Sequence, residues 1–128
     1  MENFKFSTLE YKRPDLETRS QRLTQWKAAV QQAESYETLR GLLFEIDREN
    51  CRLLTMYSVA HIRHTLDTRD EFYETEIAYL QDTLPTLSGA EVELSEAIAS
   101  SPFRPDIERE FGRQYFVSMD LQKKLYST

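Results

Sequence analysis

From Leu39 to His64 the chain holds a single apolar period. Leu39, Leu42, Ile46, Asn50, Leu53, Tyr57, Ala60 and His64 follow one another at steps of three and four, the spacing of one face of an α-helix. With its flanks the pattern covers about 30 residues, or about 45 Å of helix. A helix of that length with one apolar side needs companions of similar length to cover it. The chain is thereby committed to an all-α, up-and-down bundle of three to five helices, two of them long. Only 3 Gly and 4 Pro stand among 128 residues, so few positions can turn tightly. The whole chain, residues 1–128, reads as a single helical domain preceded by an arm over residues 1–12.

The companions are legible. Pro14 suits the first position of a helix that carries Asp15 and Glu17 in its opening turn. Its stripe is Leu16, Leu23, Trp26, Val30 and Ala33, and it ends near Glu34. Ser35 then caps the long helix. Thr68 and Glu71 have the T-x-x-E spacing of a capping box, which places a corner at Leu66–Thr68. The next stripe runs Tyr73, Ile77, Leu80, Leu84, Leu87, Leu94 and Ile98. Pro85 lies inside it and should kink or break the helix, with a restart around Ser88-Gly89. Arg104-Pro105-Asp106-Ile107-Glu108 repeats the pattern of Arg13-Pro14-Asp15-Leu16-Glu17 and reads as the same start signal. Ile107, Phe111, Tyr115 and Met119 continue from it, with Gly112 as an interruption. The expected core is Leu23, Trp26, Val30, Leu39, Ile46, Leu53, Tyr57, Tyr73, Ile77, Leu80 and Leu84. Phe4, Phe6 and Leu9 of the arm are expected to dock against it.

A net charge of −6 disfavours nucleic acid as a partner, and the cations are dispersed among acids rather than gathered in a stripe. No apolar run of about 18 residues is present to span a membrane. Cys51 stands alone, so no intrachain disulfide forms, and one thiol suits a reducing, cytoplasmic setting. The N-terminus lacks the apolar segment of a secretory signal.

The corner stretch "AHIRHTLDTRDEFYETE" concentrates titratable groups: His61, His64, Asp67, Asp70 and Glu74. Zinc needs three or four donors converging on one point. His61, His64 and Asp67 could do so only on one unbroken helix, which the capping signal contradicts. No H-E-x-x-H, G-x-S-x-G, Gly-rich phosphate loop or C-x-x-C occurs. His64 is better explained as a half-buried, hydrogen-bonded histidine near a helix end. Asp67 and Asp70 are better explained as acids stabilising the start of the next helix. A metal-binding bundle using His61 and His64 is the weaker alternative.

The same stretch resembles a segment of the amino-terminal region of the oligoendopeptidase F family of zinc metallopeptidases. Ile62, Arg63, His64, Thr65, Leu66, Asp67, Thr68, Phe72, Tyr73 and Glu74 fit the family pattern in place. "YKRPDLE" (11–17) resembles the family's approach to its first helix. "SSPFRPDIEREFG" (100–112) resembles the later run that leads to a helix closing in Phe-Gly. Pro85 also falls where the family often has a proline. The resemblance covers nearly the whole chain, in order.

What the resemblance implies is a non-catalytic amino-terminal helical lobe. In the family it faces a zinc-bearing lobe across a peptide channel, with H-E-x-x-H and a downstream glutamate supplying the metal chemistry. This chain has no such signature, so no cofactor is expected in it, and zinc is expected in the other lobe. The implied partners are that catalytic lobe and an oligopeptide substrate, with self-association through the interlobe face as a further expectation. His61, Arg63, Asp67 and Asp70 are the candidate interlobe or channel surface; helix-end electrostatics alone is the competing explanation. "LQKKLYST" carries no Gly or Pro helix stop, which leads one to expect a longer polypeptide. The second functional reading is a stand-alone helical interaction module without enzymatic activity.

Overall fold

In the computed structural model the described residues are 9–69, 71–117 and 121. Among these residues five α-helices follow in order: α1 (Leu16–Gln32), α2 (Tyr36–Leu66), α3 (Glu71–Thr83), α4 (Ser88–Ala99) and α5 (Arg104–Phe111). A single 3-10 turn, Leu84–Leu87, joins α3 to α4, so those elements make one long helical run with a break at Pro85. A second 3-10 turn, Arg113–Phe116, follows α5. No strand occurs among the described residues, and no described helix is long and apolar enough to cross a membrane.

α1 packs chiefly on α4, and α2 on α3. The main core cluster gathers Leu16, Leu23, Trp26 and Val30 from α1 with Leu39, Leu43 and Ile46 from α2. Leu80, Leu87, Leu94, Ile98, Ile107 and Phe116 complete it. Arg19 crosses this core. Its guanidinium donates to Asn50 Oδ1 (2.7 Å) and to Glu91 Oε1 (3.1 Å), tying α1 to α2 and α4. That contact explains the one amide on the apolar stripe of α2. At the opposite end Tyr36 and Arg40 of α2 both donate to Glu110 of α5, at 2.5 and 2.7 Å.

The caps refine the expected boundaries. Ser35 caps α2 as expected, accepting from Thr38 N at 3.2 Å. Asp15, not Pro14, opens α1: its carboxylate accepts from Thr18 N and Thr18 Oγ1, and Pro14 lies one residue before the cap. In α5 the matching residues are shifted, so that Arg104 and Pro105 are already helical and Asp106 lies in the first turn. The two starts therefore differ. The chain reaches α5 through a tight turn off α4, where Ser101 Oγ accepts from Phe103 N (3.1 Å) and Arg104 donates back to Ala99 O (3.2 Å). α3 begins at Glu71, so Thr68 sits in the turn and not at the cap position.

Seven of the expected core residues are buried; Leu53, Tyr57, Tyr73 and Leu84 are half-buried, while Leu43 and Val59 are buried instead of them. Leu9 of the arm is half-buried. Phe4, Phe6 and Met119 lie outside the described residues.

α5 stops at Phe111 because Gly112 adopts φ 90°, ψ 158°, backbone that is essentially reserved for glycine. A Cβ there would also meet the Gln114 side chain at 3.0 Å, though that flexible amide can move. Gly112→Ala should therefore lose about 1–3 kcal/mol, chiefly from the backbone. Chemical denaturation checks this, and an unchanged midpoint would show that the helix end relaxes freely.

Candidate functional site

The corner between α2 and α3 is built by a strap, residues 9–14, that runs from the chain's described start to the cap of α1. Three contacts clasp it. Glu76 of α3 is buried, and its carboxylate takes the Arg13 guanidinium in a forked pair, with Nε at 2.9 Å from Oε1 and Nη2 at 2.5 Å from Oε2. The Tyr11 hydroxyl donates to the same Oε1 at 2.9 Å. Arg63, in the last turn of α2, donates to the Leu9 carbonyl and to the Tyr73 hydroxyl (3.1 Å). Aromatic rings fill the space between: Tyr11 meets Phe72 and Tyr73 edge-on, with centroids 6.1 and 5.8 Å away. The Arg13 guanidinium also lies 4.1 Å from the Tyr79 ring centroid.

The electrostatics follow the geometry. Hydrogen bonds from Arg13, and then from Tyr11, hold the Glu76 carboxyl below the ordinary carboxylate value in spite of its burial. Burial, and then the hydrogen bond to Glu76, push the Tyr11 hydroxyl above its ordinary value. This is a paired, fully used carboxylate, shaped to hold a chain segment rather than to exchange protons near neutrality.

The four candidate surface residues are placed differently from one another. Arg63 is half-buried and works inward, joining strap to α3. His61 is half-buried, its ring 4.5 Å from that of Tyr57. Asp67 is exposed; as C-cap of α2 it accepts from Arg69 N at 3.1 Å. Asp70 lies outside the described residues. The expected hydrogen bond of His64 is not made at Nδ1, which is buried without a partner. Among the described residues no three His, Cys, Asp or Glu side chains converge to hold a metal ion.

Around this clasp the corner is apolar toward solvent. Leu66 is 78% exposed and Phe72 54% exposed, and Ile62 lies one turn before Leu66 on the same side of α2. The clasp itself was missed at the sequence level. Its signal was Glu76, which lies three residues after Tyr73 and four before Leu80, an acid on the buried stripe of α3 that had to find a cation.

Fold and corner together define an all-helical lobe, with an arginine-clasped strap inside and uncovered apolar side chains outside. The chain matches the Peptidase M3 N-terminal domain over residues 6–126 and belongs to that family. Two solved structures share the fold. A PZ peptidase A determined with an inhibitor is 32% identical, with a TM-score of 0.84 over 92% of this chain and 21% of its own. A protein assigned as an oligoendopeptidase F is also 32% identical, with a TM-score of 0.85 over 94% of this chain and 21% of its own. The chain thus spans about a fifth of the length of the structures it matches. Among curated proteins none matches.

Proposed function

We propose that this chain is the non-catalytic amino-terminal lobe of an oligoendopeptidase F-like zinc metallopeptidase, where it helps to wall the peptide channel. The observation that carries the reading is the coverage: nearly all of this chain superposes on only 21% of each related chain. In a full-length enzyme the remaining four fifths would have surfaces to meet, and the uncovered Ile62, Leu66 and Phe72 at the corner offer one. His61 and Asp67 flank that face and would contribute its polar rim. Arg63 would act from behind by fixing the corner. Zinc belongs to this reading only through the other lobe. The described donors here do not fit it: His61 meets Tyr57 edge-on, and no third described ligand converges with His61 and His64. The lone, exposed Cys51 supports a reducing cytoplasmic setting.

The test mixes this chain with the oligoendopeptidase F relative from which the matching fifth has been removed, and follows a quenched-fluorescent oligopeptide. Turnover by the mixture should exceed the sum of the parts, and Leu66→Asp should abolish the gain. If no complex forms, or if this chain alone shows turnover that a chelator removes, the lobe reading fails. Failure to associate would favour the stand-alone interaction module.

A further inference from the structure

The cations that are dispersed in the sequence converge in space. A cleft of about 790 Å³ opens between α1, the middle of α2 and the strap, within the size range of small-ligand sites. Lys12, Arg13, Arg19, Arg22, Arg48 and Arg52 line it, against three carboxylates, Glu10, Asp15 and Glu49. A chain of net charge −6 thus presents a local excess of positive charge at one concave place. The floor is apolar, made by Leu16, Trp26, Leu53 and Met56.

Which of these charges is free decides what the cleft can bind. Arg13 is committed to Glu76, and Arg19 to Glu91 and Asn50. Arg22 and Arg52 share Glu49, at 3.2 and 3.3 Å. Asp15 directs its carboxylate to the cap of α1. Lys12 and Arg48 remain among the cations, and Glu10 among the carboxylates: among the described residues none of the three makes an ion pair, and all are exposed, which leaves net positive charge for a ligand. The two cations come from different elements, the strap and α2. A ligand reaching both must offer anionic groups at separate points and an apolar part between them for the floor.

We propose that this cleft binds an acidic oligopeptide, with carboxylates on Lys12 and Arg48 and an aliphatic side chain on the floor. Guanidinium favours carboxylate through forked, charge-assisted hydrogen bonds. The choice of a peptide as the carrier of those carboxylates rests on the proposed function. Any binding here belongs to this chain by itself, without zinc or a second lobe.

The chain carries its own probes. Trp26, its only tryptophan, lies in the lining, and so does its only cysteine, the exposed Cys51. The experiment titrates the chain with a blocked decapeptide of alternating Glu and Leu, and reads Trp26 fluorescence and the rate of Cys51 alkylation. Controls are the same peptide with Lys for Glu, a neutral peptide with a free C-terminal carboxylate, and an oligonucleotide of equal charge. The Glu peptide should give saturable quenching and slow the alkylation. Arg48→Glu should weaken its binding at least about tenfold, as reversal of a close charge does, with the thermal melt unchanged. Added salt should weaken it as well. Lys12→Glu repeats the test on a separate element should the first variant be destabilised. Binding by the neutral peptide as tight as by the Glu peptide would assign the site to the chain terminus instead of side chains and overturn the proposal. Equal binding of the Lys peptide, tighter binding of the oligonucleotide, or indifference to both reversals would do the same. No hydrolysis enters this measurement. Failed binding leaves the lobe-complementation result standing, and failed complementation with binding intact overturns the lobe reading alone.

Discussion

Leu80→Ala is expected to lower the stability of the chain by about 2–5 kcal/mol. Leu80 is fully buried, at 0% exposure, and sits in the main cluster where α3 meets the remaining helices. Truncation removes its apolar contacts and leaves a cavity that helices held by their own backbone hydrogen bonds can fill only in part. Leu53 gives the internal contrast. It stands on the α2 stripe at the same helical spacing, so periodicity alone ranks it with Leu80. In the structure it is half-buried and borders two clefts, the basic one and a second, of mixed polarity, on the other side of α2. Its loss exposes space already open to water, so Leu53→Ala should cost only about 1–2 kcal/mol. Urea denaturation at constant slope measures both. A greater loss at Leu53 than at Leu80 would mean that the clefts are closed in solution.

That pair shows what the chain's periodicity can and cannot tell. Helix existence, the Ser35 cap, the corner after Leu66 and the break at Pro85 are local matters, set by capping chemistry and by proline's missing donor. They could be read directly. The phase of a 31-residue helix is not local. Leu39, Leu43 and Ile46 join the main cluster, whereas Val59 and Ala60 are buried further along, apart from it, on the helix that packs against α3. One straight stripe cannot describe a helix whose two halves are covered by different partners. The position of the corner was legible, although Thr68 lies in the turn and not at the cap. The clasp was not, because Arg13 and Glu76 are 63 residues apart and nothing near either one names its partner. The basic cleft was hidden likewise, since its cations arrive from two segments that are each rich in acids. Charge counted along the chain averages away what folding brings together.

Glu76→Gln should destabilise the chain by about 2 kcal/mol near neutral pH, and it should change the shape of the pH dependence as well. The carboxylate is buried and receives hydrogen bonds from both Arg13 and Tyr11, each of the charge-assisted kind. The cost stays below that of breaking a fully buried ion pair, because the Arg13 side chain is 49% exposed and water can solvate it once the partner is neutral. The pH effect follows from the direction of the shift. Folding holds Glu76 below its ordinary value of 4.5, so between the two values the unfolded chain binds more protons than the folded one, and stability rises with pH. Its contribution is complete above 4.5 and disappears as pH falls through the folded value. Glu110 and Asp15 are lowered in the same way by Tyr36 with Arg40 and by Thr18, so wild type keeps an acid-labile limb in any event. Only the difference between wild type and Glu76→Gln isolates the clasp. That difference should be nearly flat above pH 4.5 and shrink steadily as pH falls below it, as followed by melting temperature. Tyr11→Phe provides the opposite limb. Its hydroxyl is raised, so its contribution is present below the ordinary value of 10.0 and is lost as pH climbs through the folded value. A Glu76→Gln curve parallel to wild type through the acid range would show that the strap is held by its aromatic rings and the Arg63 contacts alone. The buried carboxylate would then have no share in fixing the corner.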